Sequence, residues 1–246
     1  MASRVIKFAN KVLKLLRIVR SKQYLSVLLK CGVAPVDEHV DVISKLHLKT
    51  VVDVGANRGQ FALLIRNCYP DAEIFSFEPL AAPAEKYSCV FKDDIKTKLF
   101  KVAVGQTKET KSMHVSKSDD SSSLLPITSK QNELFPGTAE DHEETVSVDL
   151  LENNVSVDQV KSPSMLKIDV QGYELEVLSG SLTMLSCFDF IYVECSYVEL
   201  YEGQALAHDV VSVLADNGFQ IKGIYNTAYD AEGECIQSDF LFIRSN

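Results

Sequence analysis

The stretch Val-Val-Asp-Val-Gly-Ala-Asn-Arg-Gly-Gln-Phe, residues 51–61, joins an apolar segment to an amphipathic one through two closely spaced glycines. Residues 50–54 are β-branched or apolar except for Asp53, a pattern that predicts a central parallel strand covered on both faces. Gly55 and Gly59 allow a sharp turn and a close approach of a ligand to the backbone. The segment that follows is predicted to be a helix that aims its free amide groups at that ligand. A strand, a glycine turn and a helix in this order predict an α/β protein with a nucleotide-like ligand at the turn.

The glycine spacing and two nearby acids indicate which ligand this is. A dinucleotide fingerprint requires glycines at its first, third and sixth positions, where this chain has Gly55, Asn57 and Gln60. An NAD-dependent oxidoreductase or epimerase is therefore disfavoured. Asp53 before the turn and Glu78 at the end of the next predicted strand resemble instead the class I S-adenosylmethionine methyltransferases. That resemblance implies that the turn holds the amino-acid end of the cofactor and that Glu78 accepts both ribose hydroxyls, as a carboxylate with two acceptor oxygens can.

Composition limits the class of protein. The 246 residues suffice for one large α/β domain, and a formal charge of −9 argues against a general nucleic-acid binder. The six cysteines show no C-x-x-C spacing, which predicts neither a disulfide framework nor a zinc site and favours a reduced, intracellular compartment. The start lacks an apolar stretch of signal-peptide length, and no 18 apolar residues run together. We expect a soluble, cytoplasmic protein, and the sequence does not define its oligomeric state.

The first 48 residues read as a basic helical extension. Residues 1–30 contain eight Lys or Arg and no acid, with apolar residues at helical spacing. A helix packed on the domain edge with a solvated basic face is favoured over peripheral contact with a membrane surface or an acidic polymer. Gly32 and Pro35 are expected to end this helix, and a second short helix is predicted over residues 37–46.

Residues 49–246 are predicted to form the main domain. Strands alternate with helices, so we expect a doubly wound, mostly parallel seven-stranded sheet, Rossmann-like, with an antiparallel C-terminal strand pair. The strands are predicted near 50–54, 73–77, 98–104, 164–169, 189–195, 219–225 and 237–244. Between the third and the fourth lies a polar insert, residues 106–162, and connections of that length are usually functional or disordered.

A second strand, turn and helix junction occurs at residues 165–174. It places Asp169 and Gln171 at the carboxyl end of the fourth strand, and Glu194 ends the fifth. With Asp53 and Glu78, four acids then share one rim of the sheet, in the crevice where open α/β sheets bind ligands. The competing interpretations are that Asp169 caps a helix and that helix dipoles favour acids at such turns.

Four segments together resemble the FkbM family of S-adenosylmethionine-dependent methyltransferases over roughly residues 49–244. They are residues 52–61, Phe-Glu-Pro at 77–79, Leu-Lys-Ile-Asp-Val-Gln-Gly-Tyr-Glu-Leu-Glu-Val-Leu at 166–178, and Val-Glu-Cys-Ser at 193–196 followed by Leu-Tyr-Glu-Gly-Gln at 200–204. The resemblance implies O-methylation, often of sugar hydroxyls in polysaccharides, glycolipids or macrolide-like natural products. The cofactor residues expected here are Asp53, Gly55, Ala56, Asn57, Gly59, Gln60, Phe61, Glu78, Pro79 and Ala103.

An alcohol must lose its proton on methylation, and a carboxylate in hydrogen-bond reach could act as the general base. Asp169 is the first candidate and Glu194 the second. Many members of the resembled family have Glu where this chain has Gln171, and if that Glu is the family's base, the role falls to another residue here. His142 and His208 are weaker candidates, because a lone His in a polar segment is usually a surface residue. Asp169 with Glu194 could hold Mg²⁺ through waters, although no metal motif is present.

The expected acceptor is a small molecule, glycan or glycolipid, contacted by the insert and by the loop over residues 197–204. The candidate contacts are Ser122, Ser123, Gln171, Tyr197 and Tyr201, with the two tyrosines either stacked on a sugar face or packing the loop. A third hypothesis retains the fold and the ligand turn but assigns a binding or scaffolding role without catalysis.

Overall fold

The computed structural model describes residues 22–36 and 38–245. The part of the predicted basic helix over residues 1–21, with its proposed membrane contact, lies outside the described residues, as does Asp37.

The strands are β1 Thr50–Val54, β2 Glu73–Phe77, β3 Thr97–Phe100, β4 Ala103–Val104, β5 Glu109–Ser116, β6 Glu140–Asp149, β7 Ser164–Ile168, β8 Phe190–Ser196, β9 Phe219–Tyr229 and β10 Cys235–Arg244. Seven of them form the central sheet in the order β3-β2-β1-β7-β8-β10-β9. Strands β1, β2, β3, β7 and β8 pair in parallel, whereas β10 pairs antiparallel with both β8 and β9. This arrangement confirms the predicted doubly wound sheet with its antiparallel C-terminal pair.

Helices cover both faces of the sheet. They are α1 Lys22–Cys31, α2 Val40–Ile43, α3 Gln60–Cys68, α4 Ala81–Val90, α5 Ser129–Leu134, α6 Glu174–Ser179, α7 Leu182–Leu185 and α8 Ala207–Asp216. Alternate residues of β1 enter two separate cores: Val51 packs with α1 to α4, and Val52 with α6 to α8 and the insert. This division explains why all five residues of β1 are buried. Within the described ranges, no helix has the length and apolar content needed to span a bilayer.

The order of the strands places a topological switch point between β1 and β7. From β1 the chain builds outward through β2 and β3, and it then returns to the other side of β1 with β7 and β8. The carboxyl ends of β1 and β7 therefore border one crevice, with Val54 opposite Ile168 in register. Open α/β sheets bind their ligands at such a crevice.

The insert is a folded unit. Strands β4, β6 and β5 form a second, three-stranded sheet, in which β5 and β6 pair antiparallel along nearly their whole length. Helix α5 lies in the connection between β5 and β6, and an isolated bridge between Ile127 and Tyr201 ties this connection to the loop after β8. The insert thus lies over the carboxyl edge of the main sheet.

The N-terminal extension is bonded to the domain. Cys31 at the end of α1 forms a disulfide with Cys89 in α4, and the side chain of Tyr24 is buried in the same core as α3. Our expectation that the cysteines stay unpaired is wrong for this pair, because partners 58 residues apart in sequence leave no local spacing pattern. Since disulfides persist in oxidising compartments, cysteine usage no longer supports a reduced one. The predicted second helix is only the single turn α2.

Candidate active site

A buried ion pair lies beneath the glycine turn. Asp53 has no exposed surface, and its Oδ1 lies 3.3 Å from Nζ of Lys167 on the neighbouring strand β7. The same ammonium donates to the carbonyl of Gly55 (2.9 Å) and lies 3.4 Å from Oδ2 of Asp169. Burial raises the pKa of Asp53, although Lys167 opposes this rise. Burial lowers the pKa of Lys167, but the carboxylates of Asp169 and Asp53 raise it by more than burial lowers it. The ammonium form is therefore favoured.

The two glycines of the turn are required for different structural reasons. Gly55 has a φ of +80°, and a Cβ there would lie 1.8 Å from the backbone oxygen of Asp169, so the approach of β1 to β7 excludes any side chain. Gly59 has a φ of +87°, and its missing Cβ leaves room for the rings of Tyr87 and Phe91. Gly59 therefore serves the packing of α3, and it is not among the residues that line the two cavities described below.

The first of these, which we call the Glu78 cavity, lies over the ends of β1 and β2. Glu78 is 5% exposed, and its Oε2 and Oε1 accept hydrogen bonds from the backbone amides of Asn57 (2.9 Å) and Leu80 (2.8 Å). Burial raises the pKa of Glu78 to about 7, although these two amides lower it. Other lining residues that the sequence predicted are Gly55, Asn57, Pro79, Ala103 and Ser122.

The second, the Glu194 cavity, adjoins the first on the side of β8. Gly55, Asp120, Asp169 and Gln171 line both cavities, so the two meet at the end of β7. The Asp169 side chain is 39% exposed, unlike that of Asp53, and is therefore accessible from this junction. The predicted cofactor residues Ala56, Gln60 and Phe61 line the Glu194 cavity and not the Glu78 cavity.

Gln171 is the centre of a hydrogen-bond network at the junction. Its Nε2 donates to Oδ1 of Asp169 (2.8 Å) and to Oε2 of Glu194 (2.9 Å), and its Oε1 accepts from the Tyr201 hydroxyl (2.8 Å). Nε2 of Gln237 donates to Oε1 of Glu194 (2.7 Å). Burial and the nearby charge of Asp169 raise the pKa of Glu194. Each oxygen of Glu194 thus accepts a hydrogen bond from a side-chain amide, and Glu194 fixes the position of Gln171.

The predicted acceptor contacts divide into three groups. Ser122 and Gln171 line the cavities. Ser123 and Tyr201 are buried and support the network, because Ser123 Oγ donates to the Gln171 carbonyl (2.6 Å) and Tyr201 is 1% exposed. The idea that Tyr201 stacks on a sugar face is therefore withdrawn.

Tyr197 and the two weaker histidine candidates lie elsewhere. Tyr197 lines a separate groove with His208 and donates its hydroxyl to Ser238 (3.1 Å), so it is no longer a candidate acceptor contact. The side chain of His208 is 77% exposed, and His142 lies on β6 beside Asp141, with neither histidine among the described residues of the two cavity walls.

Sequence reasoning missed a group at the far wall of the Glu194 cavity. Nδ1 of His39 lies 3.3 Å from Oδ2 of Asp239, which also accepts hydrogen bonds from Asn226 (2.7 Å) and the Tyr192 hydroxyl (3.1 Å). These residues come from opposite ends of the chain, so no local pattern marks them. Lys167 did carry a signal, as the single charged residue in the fully buried strand β7.

The junction is poorly suited to bind a metal ion. The oxygens of Asp169 and Glu194 accept amide hydrogens from Gln171 and Gln237, and the Lys167 ammonium is close to Asp169, so this pair presents little free charge to a cation. Within the described chain, His114, Glu140 and Glu143 of the insert could place three ligand atoms within 4.8 Å of one another, and the two glutamates are exposed.

Known proteins resemble this chain. Residues 53–221 match the family model described as the methyltransferase FkbM domain. The 2-O-methyltransferase NoeI of Sinorhizobium fredii is 27% identical over 184 residues, which cover 72% of this chain and 76% of that protein. The structure of Sp1610 from Streptococcus pneumoniae with S-adenosyl-L-methionine has a TM-score of 0.49 at 10% identity, covering 85% of this chain and 72% of that one. A precorrin-6y C5,15-methyltransferase from Geobacter metallireducens has a TM-score of 0.47 at 11% identity, with coverages of 87% and 94%.

Proposed function

Because the chain belongs to the FkbM family of methyltransferases and uses S-adenosylmethionine, we propose that it methylates a hydroxyl group of a sugar-containing acceptor. The observation that carries this proposal is the meeting of two cavities at Asp169, one with a carboxylate suited to a ribose and one lined by acids and amides. A donor in the first cavity and an acceptor in the second would then face each other across the end of β7.

The Glu78 cavity fits the nucleoside part of the cofactor. Each oxygen of Glu78 already receives one backbone amide, and the lone pairs that remain can accept the two hydroxyl protons of a ribose. The backbone turn at Gly55 leads from this cavity to Ala56 and Gln60 of the Glu194 cavity, where the amino-acid end would lie. S-Adenosylmethionine supplies a methyl group bound to a positively charged sulfur.

The chain's own residues then have to position a hydroxyl and remove its proton. Asp169 is accessible from both cavities, and Gln171 holds one of its oxygens, so its orientation is fixed before an acceptor arrives. We assign the general base to Asp169, a role worth roughly 10²–10⁴-fold in rate. Glu194 acts through Gln171 as a positioning residue.

A sugar hydroxyl is supported by two observations. The relative NoeI is a 2-O-methyltransferase, and the Glu194 cavity offers many acceptors to hydroxyl protons. A glycan or a glycolipid would present such a group.

The proposal is tested by calorimetry with S-adenosylmethionine, followed by mass spectrometry of glycan and glycolipid acceptors for the gain of one CH₂. We expect Asp169→Asn to bind the cofactor as the wild type does and to lose roughly 10²–10⁴-fold in kcat. Asp158→Asn, the same change at an exposed position outside both cavities, should retain full turnover. Folded protein that binds no S-adenosylmethionine would favour the scaffolding hypothesis, and full turnover by Asp169→Asn would move the base elsewhere.

A further inference from the structure

The Glu194 cavity has a strongly one-sided charge. It encloses about 1290 Å³ of space that includes its open mouth. Five carboxyl groups line it, and the side chains that can carry positive charge among its described lining residues are one lysine and one histidine. The acids are Glu38, Asp120, Asp169, Glu194 and Asp239, and the bases are His39 and Lys167.

Both bases already lie beside carboxylates. The Lys167 ammonium lies between Asp53 and Asp169 and donates to the Gly55 carbonyl. His39 is held at its Nδ1 by Asp239 and Tyr192. If Glu194 keeps a proton, four carboxylates of the wall remain. The cofactor adds one net positive charge to the junction, which leaves the cavity negative.

The uncharged polar groups of the wall indicate what the cavity does accept. Gln131 of α5 is only 3% exposed, lines the cavity, and its Oε1 has no hydrogen-bond partner. This oxygen has almost no accessible surface, so a ligand hydroxyl can relieve the cost of the missing hydrogen bond only after the Gln131 side chain turns toward the cavity. Asn226 and Gln237 add further amides.

We propose that the Glu194 cavity takes an uncharged, polyhydroxylated unit of the acceptor and rejects a unit that bears phosphate, sulfate or carboxylate. This inference rests on the proposed function and adds the substrate class. An anionic group on the acceptor would enter a negative cavity whose described lining residues offer it no unpaired cation, whereas the carboxylate of the cofactor's amino-acid end brings its own ammonium group. Coulomb's law with an effective dielectric constant of about 20 gives a loss of more than about tenfold for a single carboxylate about 8 Å away.

The proposal also places the reaction in a sequence. A reaction that adds a charged group to the same unit, such as phosphorylation or oxidation to a uronic acid, must follow this methylation.

The test compares matched pairs of ligands on protein loaded with S-adenosylhomocysteine. Methyl glycosides of neutral hexoses are titrated beside their 6-phosphates and their uronic acids, with binding followed by saturation-transfer NMR. We expect each neutral member to bind at least about tenfold more tightly than its anionic partner. Equal binding, tighter binding of the anion, or no binding by either member overturns the inference. Because the titrations measure binding without turnover, they test the preference for neutral ligands even if the protein fails to transfer a methyl group.

Variants test whether the wall causes the discrimination. Asp120→Asn removes one charge from the wall of both cavities. We expect it to reduce severalfold the ratio between the Kd of the anionic member and the Kd of the neutral member. Asp158→Asn makes the same charge change far from the cavity and should leave the preference as it is. Gln131→Leu should weaken binding of the neutral member, because it removes an amide from the wall of the cavity. An Asp120→Asn protein with the wild-type preference contradicts an electrostatic origin.

Discussion

The raised pKa of Glu78 makes cofactor binding depend on pH in a way that can be calculated. Glu78 is nearly buried, and burial raises its pKa from 4.5 to about 7, against the lowering effect of the Leu80 and Asn57 amides. A ribose diol donates to the ionised carboxylate, so binding favours the charged form. Below pH 7 most of the free protein carries a proton on Glu78, and binding of the cofactor must release that proton. The affinity for S-adenosylmethionine should therefore fall about tenfold between pH 8 and pH 6.

Proton release gives a direct measurement. Calorimetry at each pH in two buffers of different ionisation enthalpy counts the protons released per cofactor bound. With a pKa of about 7, Glu78 should release about 0.9 proton at pH 6 and about 0.1 at pH 8. The cofactor's own amino group titrates as well, but it contributes equally in a variant. The difference between the wild type and Glu78→Gln therefore isolates this carboxyl group.

Glu174 provides a matched control. Burial raises its pKa to about 7 as well, while its carboxylate accepts the Gly172 amide (3.0 Å), and it is not among the described residues that line the Glu78 cavity. Glu174→Gln should keep the proton release at pH 6, and Glu78→Gln should abolish it. Equal release by the wild type and Glu78→Gln, or an affinity that does not change with pH, would refute the assignment of Glu78 to the ribose.

Three further variants test the structure. Lys167→Met should lower the free energy of unfolding by about 3–5 kcal/mol in urea titrations, because Asp53 stays buried without its counter-charge; a loss below about 1 kcal/mol contradicts the ion pair. Tyr201→Phe should cost about 1 kcal/mol for its lost hydrogen bonds and reduce turnover at unchanged cofactor affinity. Replacing Cys31 and Cys89 by serine should cost about 4 kcal/mol, as the bond closes 58 residues, and the wild type in reductant should then unfold like the variant.

Local patterns predicted the parts of the site that lie within one strand, turn and helix unit. Asp53, Gly55 and Glu78 fall at strand ends, where the topology of a parallel sheet fixes their position without knowledge of distant contacts. The same reasoning placed Asp169 at the rim, and the structure brings it to the junction of both cavities.

Contacts between distant segments could not be predicted. His39 and Asp239 meet because β10 pairs between β8 and β9, and no spacing in the sequence encodes that meeting. Tyr197 and Tyr201 lie in one loop, yet one side chain lines a groove with α8 and the other enters the network at Gln171. Side-chain direction in an irregular loop depends on tertiary packing, which a pattern of residue types does not contain.

The interior position of β10 has a consequence for how the protein is made. This strand lies between β8 and β9, and among the described residues β9 pairs with no other strand of the main sheet. On the ribosome, a nascent chain that has reached only residue 234 holds β9 with no strand to pair with and exposes the open edge of β8. The wall residues Gln237 and Asp239 arrive with the same strand. The Glu194 cavity therefore lacks part of its wall until residues 235–244 are free to pair with β8 and β9.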